Sequence, residues 1–432
     1  MIYCDWAATA LFDEEILKSN LEKSIILGGN PSSVHKFGLS AKKALSEARK
    51  KCANAIGVNE ECIFFTSGGT ESDHIPMVNL LTKSSKGSIV ISNIEHPAVQ
   101  EMAQNLKKCG WKVLYAKADR NGIVTPQNVL SVLQDDTDLV CIMAVNNEVG
   151  SIQPIYEIAD ALKEKSQGRK KPKFHVDCVQ GAGKIPLNIG YDGIDSAAFS
   201  AHKIGGPRGS GILYLKDATS AISASFLKGG GQEKGVRSGT ENLFGAMCMA
   251  DCLEKYFLCK NDYEKYCTEA RKTFCVDENM DENVDENKCD SETYSETYNK
   301  TCNRTFSEKY ARYENQKILT EKFIQELLQI PGTNLIPEVR KPNDSRFSPW
   351  IIQCAFKNIP GEVMVRALSE KEIYISTGSA CSSRKMKRPI LEAIGISSEN
   401  AQNGVRFSFG ASTTSEQMEQ ILDAVKEITS LF

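Results

Sequence analysis

Two short segments of this 432-residue chain set reactive side chains at the ends of apolar runs. In Phe174-His175-Val176-Asp177 an apolar run delivers a carboxylate, with Gln180 three residues later. Phe199-Ser200-Ala201-His202-Lys203 then groups a hydroxyl, an imidazole and an amine ahead of a glycine-rich run to Gly211. A lysine amine beside a cofactor carbonyl forms a Schiff base, and a pyridine ring acting as an electron sink needs a carboxylate to keep its nitrogen protonated. Ser200 and His202 suit the phosphate of such a cofactor. Taken singly, Asp177 also reads as a helix cap and Lys203 as a solvated lysine. Their joint arrangement singles them out.

Two further segments carry chemistry. Ser67-Gly68-Gly69-Thr70-Glu71 follows the run CIFFT and leads from a strand into a helix, where backbone N–H groups and the positive helix end make a phosphate cradle. A tight turn with no ligand uses the same residues. In Ser376-Thr377-Gly378-Ser379-Ala380-Cys381-Ser382-Ser383, one cysteine sits among small residues just before the basic run Arg384-Lys385-Met386-Lys387-Arg388. Positive neighbours favour thiolate and small ones leave the sulfur accessible. The alternative is an inert loop cysteine beside a solvated charge run, and solvation is the expected role of residues 384–388.

The elements that must position these residues follow from the apolar pattern. Cys62–Thr66, Ser88–Ser92, Leu139–Val145, Phe174–Asp177 and Ser196–Phe199 read as strands, and Ser40–Ala55 and Ala98–Lys108 as helices. This alternation predicts an α/β domain on a largely parallel sheet, with ligands at the carboxyl ends of the strands. Pro76 predicts that the helix after the glycine turn starts late or bends. Beyond about Gln316 the pattern predicts a helix to roughly Gln329, strands at Trp350–Phe356 and Ile373–Ser376, and a closing helix from Ser415. Between these parts lies DENMDENVDENK at 277–288, followed by SETYSETYNKT, a polar repetitive insertion. Val276, Met280 and Val284 fall four apart and allow a short solvated helix there. The sequons at Asn299 and Asn303 carry no weight in a cytosolic protein.

A net charge of −3 excludes a whole-surface basic field for nucleic acid as the default. Residues 276–292 alone carry a net −7, which leaves the rest mildly basic. No apolar run approaches a membrane span, and the N-terminus lacks a basic n-region, so a cytoplasmic protein is expected. The fifteen cysteines are scattered, without a CxxC pair, as expected of reduced packing residues. They and the histidines lack zinc-like spacing.

Together these residues resemble the cysteine desulfurases of the class V aminotransferase group, which are fold-type I pyridoxal-phosphate (PLP) enzymes. The resemblance runs from Tyr3-Cys4-Asp5-Trp6-Ala7-Ala8-Thr9 to Val405-Arg406-Phe407-Ser408-Phe409-Gly410 and spares roughly residues 260–315. Between these ends it rests on Gly29-Asn30-Pro31-Ser32-Ser33 with His35, FTSGGTESD at 65–73, Glu95-His96-Pro97, Asn146-Asn147-Glu148-Val149-Gly150, HVDCVQ at 175–180, SAHK at 200–203, Arg237-Ser238-Gly239-Thr240 and residues 376–383.

The resemblance implies a large domain over 12–257 with a mostly parallel seven-stranded sheet flanked by helices. It also implies a smaller α+β domain from 1–11 and 316–432 carrying the cysteine loop, with 258–315 as a helical extension and insertion. It makes Lys203 the Schiff-base lysine, Asp177 the partner of the pyridine nitrogen and Gln180 that of the ring hydroxyl. His96 stacks on the ring and takes part in proton transfer. Gly69, Thr70, Ser200 and His202 bind the phosphate, with Thr240 reaching in from the other subunit of a homodimer. Asn147 lies beside cofactor and substrate, Arg406 pairs with the substrate carboxylate, and Cys381 carries sulfur as a persulfide and is a candidate transient iron–sulfur ligand. The implied reaction turns L-cysteine into L-alanine and passes sulfur to an acceptor protein, such as an iron–sulfur scaffold or a tRNA-thiolation protein. No membrane or direct nucleic-acid partner is expected. A selenocysteine lyase, another class V lyase and a non-catalytic sulfur-relay scaffold are the rival readings.

Overall fold

A computed structural model describes residues 1–217, 226–274, 304–378 and 388–432. The insertion at 277–288, its candidate helix, the two sequons and Cys381 lie outside the described residues.

The chain opens with strand β1 (Ile2–Tyr3) and then builds a seven-stranded sheet from β2 (Ile63–Thr66), β3 (Ser88–Ser92), β4 (Lys112–Ala116), β5 (Thr137–Met143), β6 (Lys173–Asp177), β7 (Ser196–Ser200) and β8 (Gly211–Leu215). The strand order is β2-β8-β7-β6-β5-β3-β4. Only β8 runs against its neighbours. Helices cover both faces, so β3 and β7 are buried along their whole length and read as continuous rather than alternating apolar runs.

The connecting helices start and stop where local chemistry requires. Helix Lys36–Ile56 is capped by His35, whose Nδ1 accepts the Gly38 N–H at 3.2 Å, and it ends at Gly57 with φ +75°. Helix Gly69–Val78 begins directly after Gly68, at φ +149°, a conformation that favours glycine. It does not start late: Pro76 falls inside it, near its end, just before a 3₁₀ turn over Asn79–Thr82. Helix Pro97–Lys108 starts with His96 as its cap and Pro97 in the first turn.

A second, antiparallel sheet has the order β12-β10-β9, from β9 (Thr333–Ile336), β10 (Ile351–Phe356) and β12 (Gly404–Ser408). The expected strand at Ile373–Ser376 is only two residues long, β11 (Ile373–Tyr374), and it pairs in parallel with β1. The closing helix spans Ser415–Thr429 with a Thr414–Gln417 capping box. Ile2, Cys4 and Ala7 from the start of the chain share one apolar core with Phe323, Ile352, Phe407 and Ile421 from its end. Every cysteine among the described residues is free, and most are buried.

Candidate active site

The carboxyl ends of the parallel strands converge on a cavity of about 240 Å³. Asp177 ends β6, Ser200 ends β7 and Met143 ends β5, while His96 follows β3 and Gly69 follows β2. The cavity takes in Gly69, Thr70, His96, Asn147, Asp177, Gln180, Ser200, His202, Lys203 and Arg406. Thr240 is not among them; it lines a separate recess with Ser67 and Arg237.

Lys203 Nζ donates to the carbonyl oxygens of Ala7 and Ala8, at 2.6 and 2.8 Å. The N-terminal segment after β1 thus holds this amine by its backbone, which no side-chain pattern announces. Asp177 Oδ1 accepts the Val179 N–H at 2.9 Å, and the carboxylate makes no ion pair among the described residues. Burial, with the Asp73 carboxylate adding to it, pushes its pKa up from 3.8 to about 7. Gln180 donates its amide to Ala7 O at 2.8 Å and accepts through Oε1 from the buried Lys184 amine, whose pKa burial pushes well down.

His96 Nδ1 accepts the Ala98 N–H at 3.1 Å, so the neutral ring carries its proton on Nε2. Burial and the Lys203 charge lower its pKa to about 4, which keeps it neutral at physiological pH. His202 is lowered to about 4 by burial and the same lysine, and its Nδ1 lies 3.2 Å from Thr9 Oγ1. Arg406 is buried, donates to Asn147 O at 2.8 Å and pairs with Asp5 Oδ1 at 2.7 Å.

Three participants carried no assignment from sequence. Asp73 lines the cavity and lies 3.1 Å from His175 Nε2, while His175 Nδ1 meets Ser196 Oγ at 2.8 Å. Its signal was spacing: Asp73 stands four residues after Gly69, on the same face of the helix. Asp5 and Lys184 gave no local signal. Arg388, the last residue of the basic run, corrects the expectation of solvation. Its side chain is 11% exposed, donates to Thr377 O and Ala401 O, and lies 3.9 Å from Glu148. The backbone returning after residue 387 is therefore tied to the backbone that leaves at Gly378.

These residues fit pyridoxal phosphate. The buried carboxylate without a cation matches a protonated ring nitrogen, the amine matches an aldehyde, and Asn147 Oδ1 is buried with no hydrogen-bond partner. The start of helix Gly69–Val78, with Thr70 and Ser200, matches a phosphate. A Cβ on Gly69 would come within 2.6 Å of Val179 Cγ2, so the backbone there is held close to the cavity wall.

The profile of the Aminotransferase class-V family matches residues 2–282 and 300–421, and the chain belongs to that family. It is accordingly a pyridoxal-phosphate enzyme of the α/β class. The chain is 33% identical to a cysteine desulfurase IscS of Dictyoglomus turgidum, over 99% of this chain and 94% of the relative. It is 35% identical to a NifS/IcsS protein homolog of Lactobacillus delbrueckii subsp. bulgaricus, covering 100% and 98%. A solved NifS-like protein superposes with a TM-score of 0.79 at 29% identity over the full length of both chains.

Proposed function

We propose that this protein is an L-cysteine desulfurase that turns L-cysteine into L-alanine and holds the released sulfur as a persulfide on Cys381. The observation that carries the reading is the convergence of Lys203, Asp177, His96, Gln180 and Arg406 on one cavity at the strand ends. When bound, the cofactor supplies an electron sink that stabilises negative charge at the substrate's α-carbon. Asp177 keeps the ring nitrogen charged, because burial makes an unpaired carboxylate costly there. The Lys203 amine, once released by the substrate, stands ready to carry the α-proton. His96 presents Nε2–H into the cavity and would serve there as a proton donor. Arg406 offers its planar fork to the substrate carboxylate.

The sulfur step balances without an external oxidant. The Cys381 thiolate attacks the substrate sulfur, the carbon–sulfur bond breaks, and its electron pair returns to the carbon fragment, which gains a proton and leaves as alanine. The persulfide sulfur then passes to an acceptor protein of iron–sulfur assembly or tRNA thiolation, in the cytoplasm. The proposed working unit is a homodimer in which Thr240 completes the partner's phosphate site. Its proposed domains are 12–257, and 1–11 with 316–432, joined by 258–315.

The test is incubation of the cofactor-loaded protein with L-cysteine, measuring alanine, sulfide and Cys381 persulfide. Stoichiometric alanine and persulfide are expected, with the persulfide absent in Cys381→Ala. Unchanged alanine and persulfide after Lys203→Ala would overturn the reading.

A further inference from the structure

A second cavity, of about 310 Å³, lies on the other side of Lys203, between the N-terminal segment, helix Leu243–Tyr256, helix Arg304–Leu327 and the turn after β12. Lys203 lines both cavities, and no other residue lining this one carries a role assigned above to cofactor or substrate. Two properties set it apart.

First, its walls are flat and apolar. Trp6, Tyr256, Trp350 and Phe409 line it. Both indole N–H groups are already used, Trp6 on Tyr3 O at 3.0 Å and Trp350 on Lys184 O at 2.7 Å. A Cβ on Gly410 would come within 2.0 Å of Trp6, so only glycine lets that ring lie flat on the chain.

Second, three basic side chains line it, Lys184, Lys309 and Arg312, and none of the three makes an ion pair among the described residues. The one lining carboxylate, Asp13, is taken: its Oδ2 accepts from Lys255 at 2.7 Å and from the Tyr256 hydroxyl at 2.5 Å. Lys309 and Arg312 are half-buried, and among the described residues neither pairs with a carboxylate. Instead they rest on aromatic rings, Arg312 at 5.0 Å from the Tyr256 centroid and Lys309 at 5.4 Å from that of Tyr310. Burial lowers the pKa of both. Carboxylates act on them only from beyond ion-pair distance, Asp262 on Lys309 and Glu308 on Arg312; a half-buried cation without an ion pair is costly, and a bound anion removes that cost.

We infer that this cavity binds a small anion with a flat aromatic body, its charge on Lys309 and Arg312 and its ring between the indole and phenyl walls. The volume falls at the lower end of the range for small-ligand sites, which suits a nucleoside monophosphate or a fused-ring aromatic acid and excludes a larger cofactor. The inference does not depend on which substrate the cofactor cavity takes.

The test uses the cofactor-loaded full chain with two probes, AMP and 2-naphthoate, which separate phosphate from carboxylate, and adenosine as the uncharged control. Two of the chain's three tryptophans line the cavity, so their fluorescence reports occupancy alongside calorimetry. Saturable binding of either anion is expected at one per chain, with adenosine roughly tenfold or more weaker. Lys309→Ala and Arg312→Ala should each weaken it by about tenfold or more, while Arg312→Lys, which keeps the charge, retains most of it. Arg406→Ala should leave it unchanged, which separates this site from the cofactor cavity. Absence of binding by both anions at millimolar concentration would overturn the inference. So would affinity untouched in a Lys309→Ala/Arg312→Ala double variant that melts like the parent.

Discussion

Asp177 and Arg406 face the same cavity from different sheets, and both are buried. They are treated in opposite ways. Asp177 accepts one backbone N–H and makes no ion pair among the described residues, and its pKa rises to about 7. Arg406 has a carboxylate, Asp5, at 2.7 Å and a backbone carbonyl besides. The difference separates a resident from a visitor. On the proposed function, the cofactor end of the cavity is incomplete until a cation arrives, whereas the substrate end satisfies itself between turnovers with a carboxylate of the protein. A buried charge left bare suits a group that stays, and one with a stand-in suits a group that comes and goes.

The largest effect expected on this contrast is from Lys203→Ala, which removes the covalent hold on the resident. Alanine formation should fall to background and the yellow absorbance of the protein should vanish. Asp177→Asn keeps the shape of the resident's site but not its charge. A loss of about 10²–10³-fold in kcat is expected, with weaker cofactor retention measured by dialysis. Arg406→Ala should raise KM for L-cysteine by about 10–100-fold, with a smaller change in kcat.

Asp5→Asn tests the stand-in directly. It should destabilise the empty protein by about 1–3 kcal/mol in denaturant unfolding and lower KM a few-fold, because the substrate carboxylate no longer competes. An unchanged KM would remove the stand-in role. The smallest effect is one of pH. The folded-state pKa of Asp177 lies above its ordinary 3.8, so this group's contribution to the cofactor-free fold is full below about pH 4 and is lost as pH rises through about 7. A cationic ring nitrogen cancels that loss. The gain in Tm on adding pyridoxal phosphate should therefore be larger at pH 8 than at pH 5.5, and Asp177→Asn should flatten the difference.

Much of this arrangement was legible in the sequence because it is local. Strand runs such as Ser88–Ser92 and the carboxylate that ends Lys173–Asp177 are set by consecutive residues and by the rule that places ligands at strand ends. Strand Gly211–Leu215 escaped because it emerges from a glycine-rich turn and runs against the sheet. The features missed in the cavity depend on distance along the chain or on backbone atoms. Asp5 meets Arg406 across 401 positions, and the groups that hold Lys203 are carbonyls of two alanines. Arg388 looked like one more solvated charge because the carbonyls that receive it belong to residues before and after it in the chain.

The pairing of β1 with β11 also sets an order of events. Residues 2–9 leave the ribosome well before residues 373–408, yet their places beside Ile373, Arg406 and Ser408 exist only once those residues have been made. The large sheet can form while translation continues, but the carbonyls that seat Lys203 wait for residues 373–408. A tag fused ahead of Met1 sits beside that late step, so its cost should appear in the yield of cofactor-loaded protein sooner than in the stability of the finished enzyme.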